Sequence, residues 1–454
     1  MKTLSLDSLR KRVQNTHPRT RKAHLNTIRG VFIKGGGMLI SLLLVPMTID
    51  YLTKDTYGTW LTISSIVTML TFLDIGIGNG LRNKFSEAVA NNNPLLARKY
   101  VSTAYTLFGA IQIVLICLFM LIVFHIPWQR VFNTKIDIHQ LQIVVCLTVT
   151  AMAIKLVLDI LSYILFAIQE SSWVGFITFL SNGLVLVCTY SLTRFTSGNL
   201  IYLAIVTAIS PVIILTISGF ILYRDHLRIY RPSFHLVDMS HARSLLSLGY
   251  KFFVIQMAVI VLFYTDNLII TQLFGPSEVT TYNVAFRYFN AVNIMFTIAI
   301  APYWSAFTEA AVKNDSIWMK QTYDYLRKLW LGLVGIIILM VVVADPIYSM
   351  WIGDRLTVPH SLNVCMGIFV CVSCWNSVTV AVVNGVGKVH LQLFYALVSA
   401  TINIPLAIFF GRTLGMGSAG VILATALSLL IGSLFGALQA KKLIDGTATG
   451  IWNK

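Results

Sequence analysis

The segment "AIKLVLDILSY" (153–163) sets Lys155 and Asp159 four residues apart in an otherwise apolar run. In a helix that spacing puts both side chains on one face, one turn apart. Two roles fit. The pair could neutralise itself and lower the cost of its own burial, or Lys155 could contact an anionic substrate, held by Asp159 until substrate or a proton displaces it. Other ionisable groups stand in comparable surroundings. Lys34 directly precedes Gly35-Gly36-Gly37. It could snorkel to the headgroups, or mark a gate, since three consecutive glycines weaken a helix and admit a close neighbour. Lys251 has the same placement later in the chain. Arg287, in "NVAFRYFNAVN", lies too deep for easy snorkelling. It either pairs with Asp266 of "FYTDNLII" or faces a cavity, and Asp266 is then that partner or a coupling carboxylate. A final cluster is "FLDIGIGNGLRNK" (72–84), with Asp74, Gly76, Gly78, Gly80, Arg82 and Lys84. Gly76 and Gly80 form a GxxxG that suits helix packing. Asp74 could tether Lys34 or Arg82 at the inner mouth of a span. Four bases (Lys34, Lys155, Lys251, Arg287) against three acids (Asp74, Asp159, Asp266) bias any shared cavity positive, which suits a phosphate or an acidic sugar.

The elements that must hold these groups follow from composition. The chain has 454 residues, 56% hydrophobic and 11% charged, with mean hydropathy +0.76. A soluble domain would be closer to ~25% charged. The apolar residues come in runs of about 20, enough for a helix to cross hydrocarbon. The fold expected is an all-α polytopic membrane protein. Twelve spans are expected, at 30–52, 58–80, 101–125, 140–168, 172–193, 200–222, 247–273, 281–307, 327–346, 361–383, 391–411 and 419–440. Of the 34 Lys and Arg, four fall inside spans and six (Lys54, Arg130, Lys135, Arg194, Arg355, Arg412) on one side, which leaves 24 on the other. That asymmetry makes the richer side cytoplasmic, with both termini on it. It also explains the net charge of +16 without invoking nucleic acid.

The basic stretch 223–246 separates a first six-span lobe (30–222) from a second (247–440), between cytoplasmic tails at 1–29 and 441–454. The lobes look like repeats: Lys34 answers Lys251, Asp50 answers Asp266, and "TYGTW" (56–60) answers "EVTTY" (278–282). Two such lobes around a central cavity are a transporter architecture, with sites at the lobe interface and lobe rocking for alternating access. "NGVGKVH" (384–390) lacks the upstream glycine and the Ser/Thr of a phosphate-binding loop, so ATP hydrolysis is not expected. No cofactor is expected, though H+ or Na+ coupling is. All six cysteines lie in apolar segments, where they act as small hydrophobes.

"FLDIGIGNGLRNKFSEAVANNN" (72–93), with the preceding span and the "YGTW" entrance at 57–60, resembles the polysaccharide transporter branch of the multidrug/oligosaccharidyl-lipid/polysaccharide superfamily. The likeness is in outline over the whole chain and sharp over the first 110 residues. Many members are assigned fourteen spans, against twelve here. The resemblance implies a flippase of the bacterial inner membrane, moving undecaprenyl-diphosphate-linked oligosaccharide (an O-antigen or capsule repeat unit) to the outer leaflet. Membrane lipids, a glycan polymerase and a chain-length regulator would be its partners. The bases above, with Arg82 and Lys84 at the inner mouth, would then meet the diphosphate. Gln256, Tyr264, Asn267, Tyr282, Asn283, Tyr288, Asn290 and Asn293 would line a sugar cavity, although such residues are also ordinary inter-helix contacts. An ion-coupled exporter of small amphiphiles is the rival within the superfamily.

Overall fold

The computed structural model describes residues 18–70, 77–168, 170–242, 264–388 and 390–453, and among them every regular element is a helix. Hydrocarbon imposes this, because each backbone N–H and C=O must find its partner within the segment. The first lobe contains α1 (Pro18–Tyr51), α2 (Lys54–Leu70), α3 (Ile77–Ala90), α4 (Pro94–Ile122), α5 (Ile138–Leu158), α6 (Ile160–Ala167), α7 (Ser171–Phe195) and α8 (Leu200–Arg224). The second contains α9 (Asp266–Phe274), α10 (Pro276–Val312), α11 (Ser316–Val342), α12 (Ala344–Ile352), α13 (His360–Val386), α14 (His390–Ile408) and α15 (Gly417–Ile444). Among the described residues, eight helical stretches are long and apolar enough to cross a membrane by themselves.

Several helices outrun the spans expected from hydropathy. The third begins at Pro94 and not near 101: the Asn93 side chain accepts the Leu96 N–H, and proline suits a first turn. The eighth, α10, has 37 residues and the first, α1, has 34. Hydropathy sees the apolar centre, whereas the polar ends continue as helix. The fourth span is interrupted at Asp159, whose N–H bonds to the carbonyls of Lys155 and Val157. The ninth ends in the separate helix α12, stopped at Gly353 with φ 65°.

The stretch after α8, expected as a connection between lobes, docks onto the first lobe as far as it is described. Arg98 Nε donates to the Arg231 carbonyl at 2.7 Å, and Ser102 Oγ and Thr103 Oγ1 accept the N–H groups of Ser233 and Asp238, each at 3.0 Å. Phe85 and Tyr230 meet edge to face, centroids 4.9 Å apart.

Alternating helix direction gives the bundle two ends, called here the Asp50 end and the Lys84 end. At the Lys84 end the first lobe has a core of its own, including Leu81, Phe85, Phe108, Leu161 and Leu165. At the Asp50 end, Val45, Ile49, Tyr57 and Leu61 of the first lobe share one core with Ile270, Tyr282, Phe289 and Phe369 of the second.

Candidate functional site at the lobe interface

The shared end is sewn together by hydrogen bonds whose origin is local. Pro46 lies inside α1 and has no N–H, so the carbonyl of Leu42, four residues back, loses its helical donor. Trp351 Nε1 of α12 donates to that carbonyl across the lobe boundary at 3.0 Å. Beside it, Arg287 Nη1 of α10 donates to the Ser41 carbonyl at 2.9 Å and to Ser41 Oγ at 2.7 Å. Along α2, the hydroxyls of Thr62 and Thr271 lie 2.5 Å apart, and Asn267 Nδ2 donates to Ser65 Oγ at 2.6 Å. Asn283 Nδ2 in turn donates to Asn267 Oδ1 at 2.8 Å. At the rim the Arg355 guanidinium forks onto Asp50, Nε to Oδ1 and Nη2 to Oδ2. Gly58 is required here, because a Cβ at that position would lie 1.7 Å from the Pro276 carbonyl oxygen. The two backbones touch. The Asp50 end is closed.

Arg287 therefore does not pair with Asp266. The two are separated by the geometry of α10: Tyr282, which does bond Asp266, lies five residues before Arg287 and so about 140° around the helix. Asp266 is 5% exposed, inside the second lobe. Its Oδ2 accepts the Tyr282 hydroxyl at 2.7 Å, and both its oxygens lie 3.3 Å from Thr425 Oγ1. Asn403 Nδ2 donates to Thr425 Oγ1 at 3.0 Å, while Asn403 Oδ1 is buried without a hydrogen-bond partner among the described residues. No basic side chain among the described residues pairs with Asp266. Asp50, its counterpart in the repeat, is half exposed on the rim, so sequence correspondence does not carry over to environment.

Lys155 and Asp159 do meet, Nζ to Oδ2 at 2.5 Å, with side chains 33% and 24% exposed. Ser162 Oγ stands 3.5 Å from Asp159 Oδ1. Immediately beyond the pair, α6 is clamped by α3, the helix of the glycine motif. A tight contact falls on Gly78, where an added Cβ would lie 2.1 Å from the Tyr163 ring. Gly80 is buried as well. Ser86 Oγ donates to the Ala167 carbonyl at 3.0 Å, and the Arg82 guanidinium lies 5.5 Å from the centroid of the Phe166 ring. Lys84 bonds Glu87 at 2.9 Å, which raises its ammonium above the usual lysine range. Gly78→Ala is expected to wedge α3 from α6 and cost roughly 1–3 kcal/mol by overpacking. Thermal melting in detergent checks this, and Tyr163→Ala in the same chain should recover part of the loss.

The triplet Gly35–Gly37 is not a break: α1 continues through it. A Cβ on Gly36 would lie 2.8 Å from the Phe179 ring, and one on Gly37 would reach Asn182. Gly36 and Gly37 thus face α7, while a Cβ on Gly35 would meet nothing within 4 Å. Asp74, Gly76, Lys251 and Gln256 lie outside the described residues, as does the side chain of Lys34. Of the remaining polar residues expected to line a cavity, Asn267 and Asn283 are engaged in the seam, Tyr282 in the Asp266 cluster, and Tyr288 with the Met340 carbonyl at 3.2 Å. Asn293 bonds Asn290 at 3.0 Å and stands 3.3 Å from Ser373 Oγ. Sequence reasoning missed Ser41, Trp351, Arg355, Asn403 and Thr425. Only Pro46, a proline within an apolar span, carried a signal, because it frees a carbonyl that some neighbour must satisfy.

Comparison with known proteins places this geometry in context. A family described as polysaccharide biosynthesis protein matches residues 26–308. A Salmonella typhimurium protein named as a candidate O-antigen transporter is 24% identical over 410 residues, covering 87% of this chain and 91% of its own length. Among solved structures, an inward-facing multidrug resistance MATE family transporter of the MOP superfamily superposes with TM-score 0.74 at 14% identity, over 93% of this chain and all of its own. An outward-facing form of such a transporter gives 0.64, over 94% and 96% of the two chains. The lipid II flippase MurJ in an inward closed conformation gives 0.71 at 15% identity, over 92% and 87%. At these identities the structures share the fold.

Proposed function

Because the chain belongs to the polysaccharide biosynthesis protein family, we propose that it is a flippase for lipid-linked oligosaccharide. It carries undecaprenyl-diphosphate-linked repeat units of a surface polysaccharide from the cytoplasmic to the outer leaflet of the bacterial inner membrane. The observation that supports a carrier is the asymmetry of the lobe interface, with a shared core and a hydrogen-bonded seam at the Asp50 end and a separate first-lobe core at the Lys84 end. The charge count makes the closed end the outer one. A state closed outside is the one that receives substrate from the cytoplasm in alternating access.

The Lys155–Asp159 pair serves as the diphosphate contact. Lys155 is about a third exposed, so an anion can compete with Asp159 for the ammonium, and the interruption of the helix at Asp159 leaves room for the pair to rearrange. Asp266 serves as the coupling group, taking H+ or Na+. The candidate O-antigen transporter of Salmonella supports the substrate class, and the lipid II flippase shares the fold. The rival, an ion-coupled exporter of small amphiphiles, draws on the MATE likeness, which is one of fold alone. Drug resistance on overexpression, with unchanged surface glycan on deletion, would favour that rival.

The direct test is Lys155→Ala against Lys155→Arg in cells lacking the native gene, with surface glycan measured at matched membrane levels of protein. Removing a charge-assisted contact should lower export roughly tenfold or more, and Lys155→Arg should restore most of it. Wild-type glycan in the alanine variant would overturn the role of Lys155.

A further inference from the structure

Beyond α15 the backbone turns at Gly446 (φ 69°) and Gly450 (φ 57°), and residues Gly450–Asn453 form one helical turn that lies back on α15. Its position is set from the inside. Gln439, fully buried, donates from Nε2 to the Lys388 carbonyl at 2.8 Å and to the Trp452 carbonyl at 3.2 Å. One side chain thus ties the turn to the connection between α13 and α14.

The ring of Trp452 then lies on a particular flank. It stacks on Phe435, centroids 6.4 Å apart and planes 27° apart, and Lys442 Nζ lies 4.3 Å from its own centroid. Leu434, Phe435 and Leu438 are about half exposed on this spanning helix, so the flank they form faces lipid. Phe435 is seven residues, about two turns, before Lys442. A ring that touches both is therefore at the boundary between hydrocarbon and headgroups, the level tryptophan prefers. Ile451 beside it is 49% exposed. Lys441 and Lys442 emerge at the same level, and among the described residues neither has a carboxylate partner. Asp445 is the one acid in this tail. The ring occupies one side of the Lys442 ammonium and leaves its remaining donors at phosphate depth.

We infer that Trp452, Ile451, Lys441 and Lys442 form a docking surface for anionic phospholipid headgroups at the Lys84 end of the second lobe. The apolar ring and Ile451 enter the interface, and the two ammonium groups bond the phosphates. Each lysine beside an anionic surface contributes enough to change lipid occupancy about fivefold. Gln439 transmits the anchorage to the α13–α14 connection, holding that end of the lobe at fixed depth while the other lobe moves.

The test uses the full chain in nanodiscs of phosphatidylcholine alone, or with a quarter phosphatidylglycerol, reading melting temperature and the lipids retained in native mass spectrometry. Wild type should melt higher with phosphatidylglycerol and retain it. Lys442→Gln should reduce the retained phosphatidylglycerol about fivefold, and Lys441→Gln with Lys442→Gln should remove most of the melting-temperature rise. Trp452→Ala should weaken retention in the same sense. Lys442→Gln lies on the surface and keeps the proposal testable if Trp452→Ala does not fold. Equal stabilisation by both lipids, or a rise unchanged in the double lysine variant, would overturn the docking surface and leave the turn as internal packing. No transport readout is involved, so this outcome is independent of the flippase assignment.

Discussion

A chain carrying Asp50→Cys and Arg355→Cys, joined by a short reducible bifunctional thiol reagent, is expected to lose glycan export and regain it on reduction. The two side chains are the rim of the seam between lobes, and tying them holds the Asp50 end shut. As an ion pair with side chains 50% and 37% exposed, the natural contact contributes only about 0–1 kcal/mol. The charge-assisted bonds from Arg287 to Ser41 contribute roughly 1.5–3 kcal/mol each. A seam of that strength can open and close within a transport cycle, whereas a covalent link cannot. Single-cysteine variants treated with the same reagent are the control for the six native thiols. Gly58→Ala acts in the opposite sense: its methyl group would collide with the Pro276 carbonyl and so should favour the open end. Solvent labelling of a seam cysteine would report this as increased reactivity. Full export from a completely crosslinked chain would sink the idea that the Asp50 end must open.

The second large effect belongs to Asp266. Asp266→Asn should abolish cation-driven export while leaving the protein in the membrane and as heat-stable as wild type, or more so. The carboxylate is buried, and two hydroxyls are its hydrogen-bond donors among the described residues. A buried charge without a counter-ion costs several kcal/mol, which is the energetic basis for the proposed coupling role, and Asn403 Oδ1 offers a further oxygen. Asparagine keeps the shape and removes both the charge and its cost. A merely structural carboxylate would instead lose stability on this change without a change in cation dependence. Export in proteoliposomes under imposed H+ or Na+ gradients separates the outcomes. Normal, gradient-dependent export by Asp266→Asn would remove Asp266 from coupling.

Much of this was legible in the residues themselves. The Lys155–Asp159 pair follows from i,i+4 spacing on a helix, which is local geometry and needs no tertiary contact. Within the glycine motif, Gly78 packs against Tyr163, which comes from a helix 85 positions further along the chain, so that partner could not be read locally. Arg287 shows the limit most clearly. Sequence proximity offered Asp266 as its partner, yet rotation around α10 turns it to the other lobe, toward a carbonyl and a hydroxyl that no charge-based search would nominate.

Composition and periodicity alone determined the helical membrane fold, the two lobes and the asymmetry of the loops, because the bilayer demands long apolar helices with satisfied backbones. The tertiary structure alone decided which end is closed and what closes it. That decision rests on pairs such as Trp351 with Leu42 and Arg355 with Asp50, some 300 residues apart. Their chemistry is ordinary until two rigid lobes bring them within bonding distance, and no local pattern encodes such a meeting.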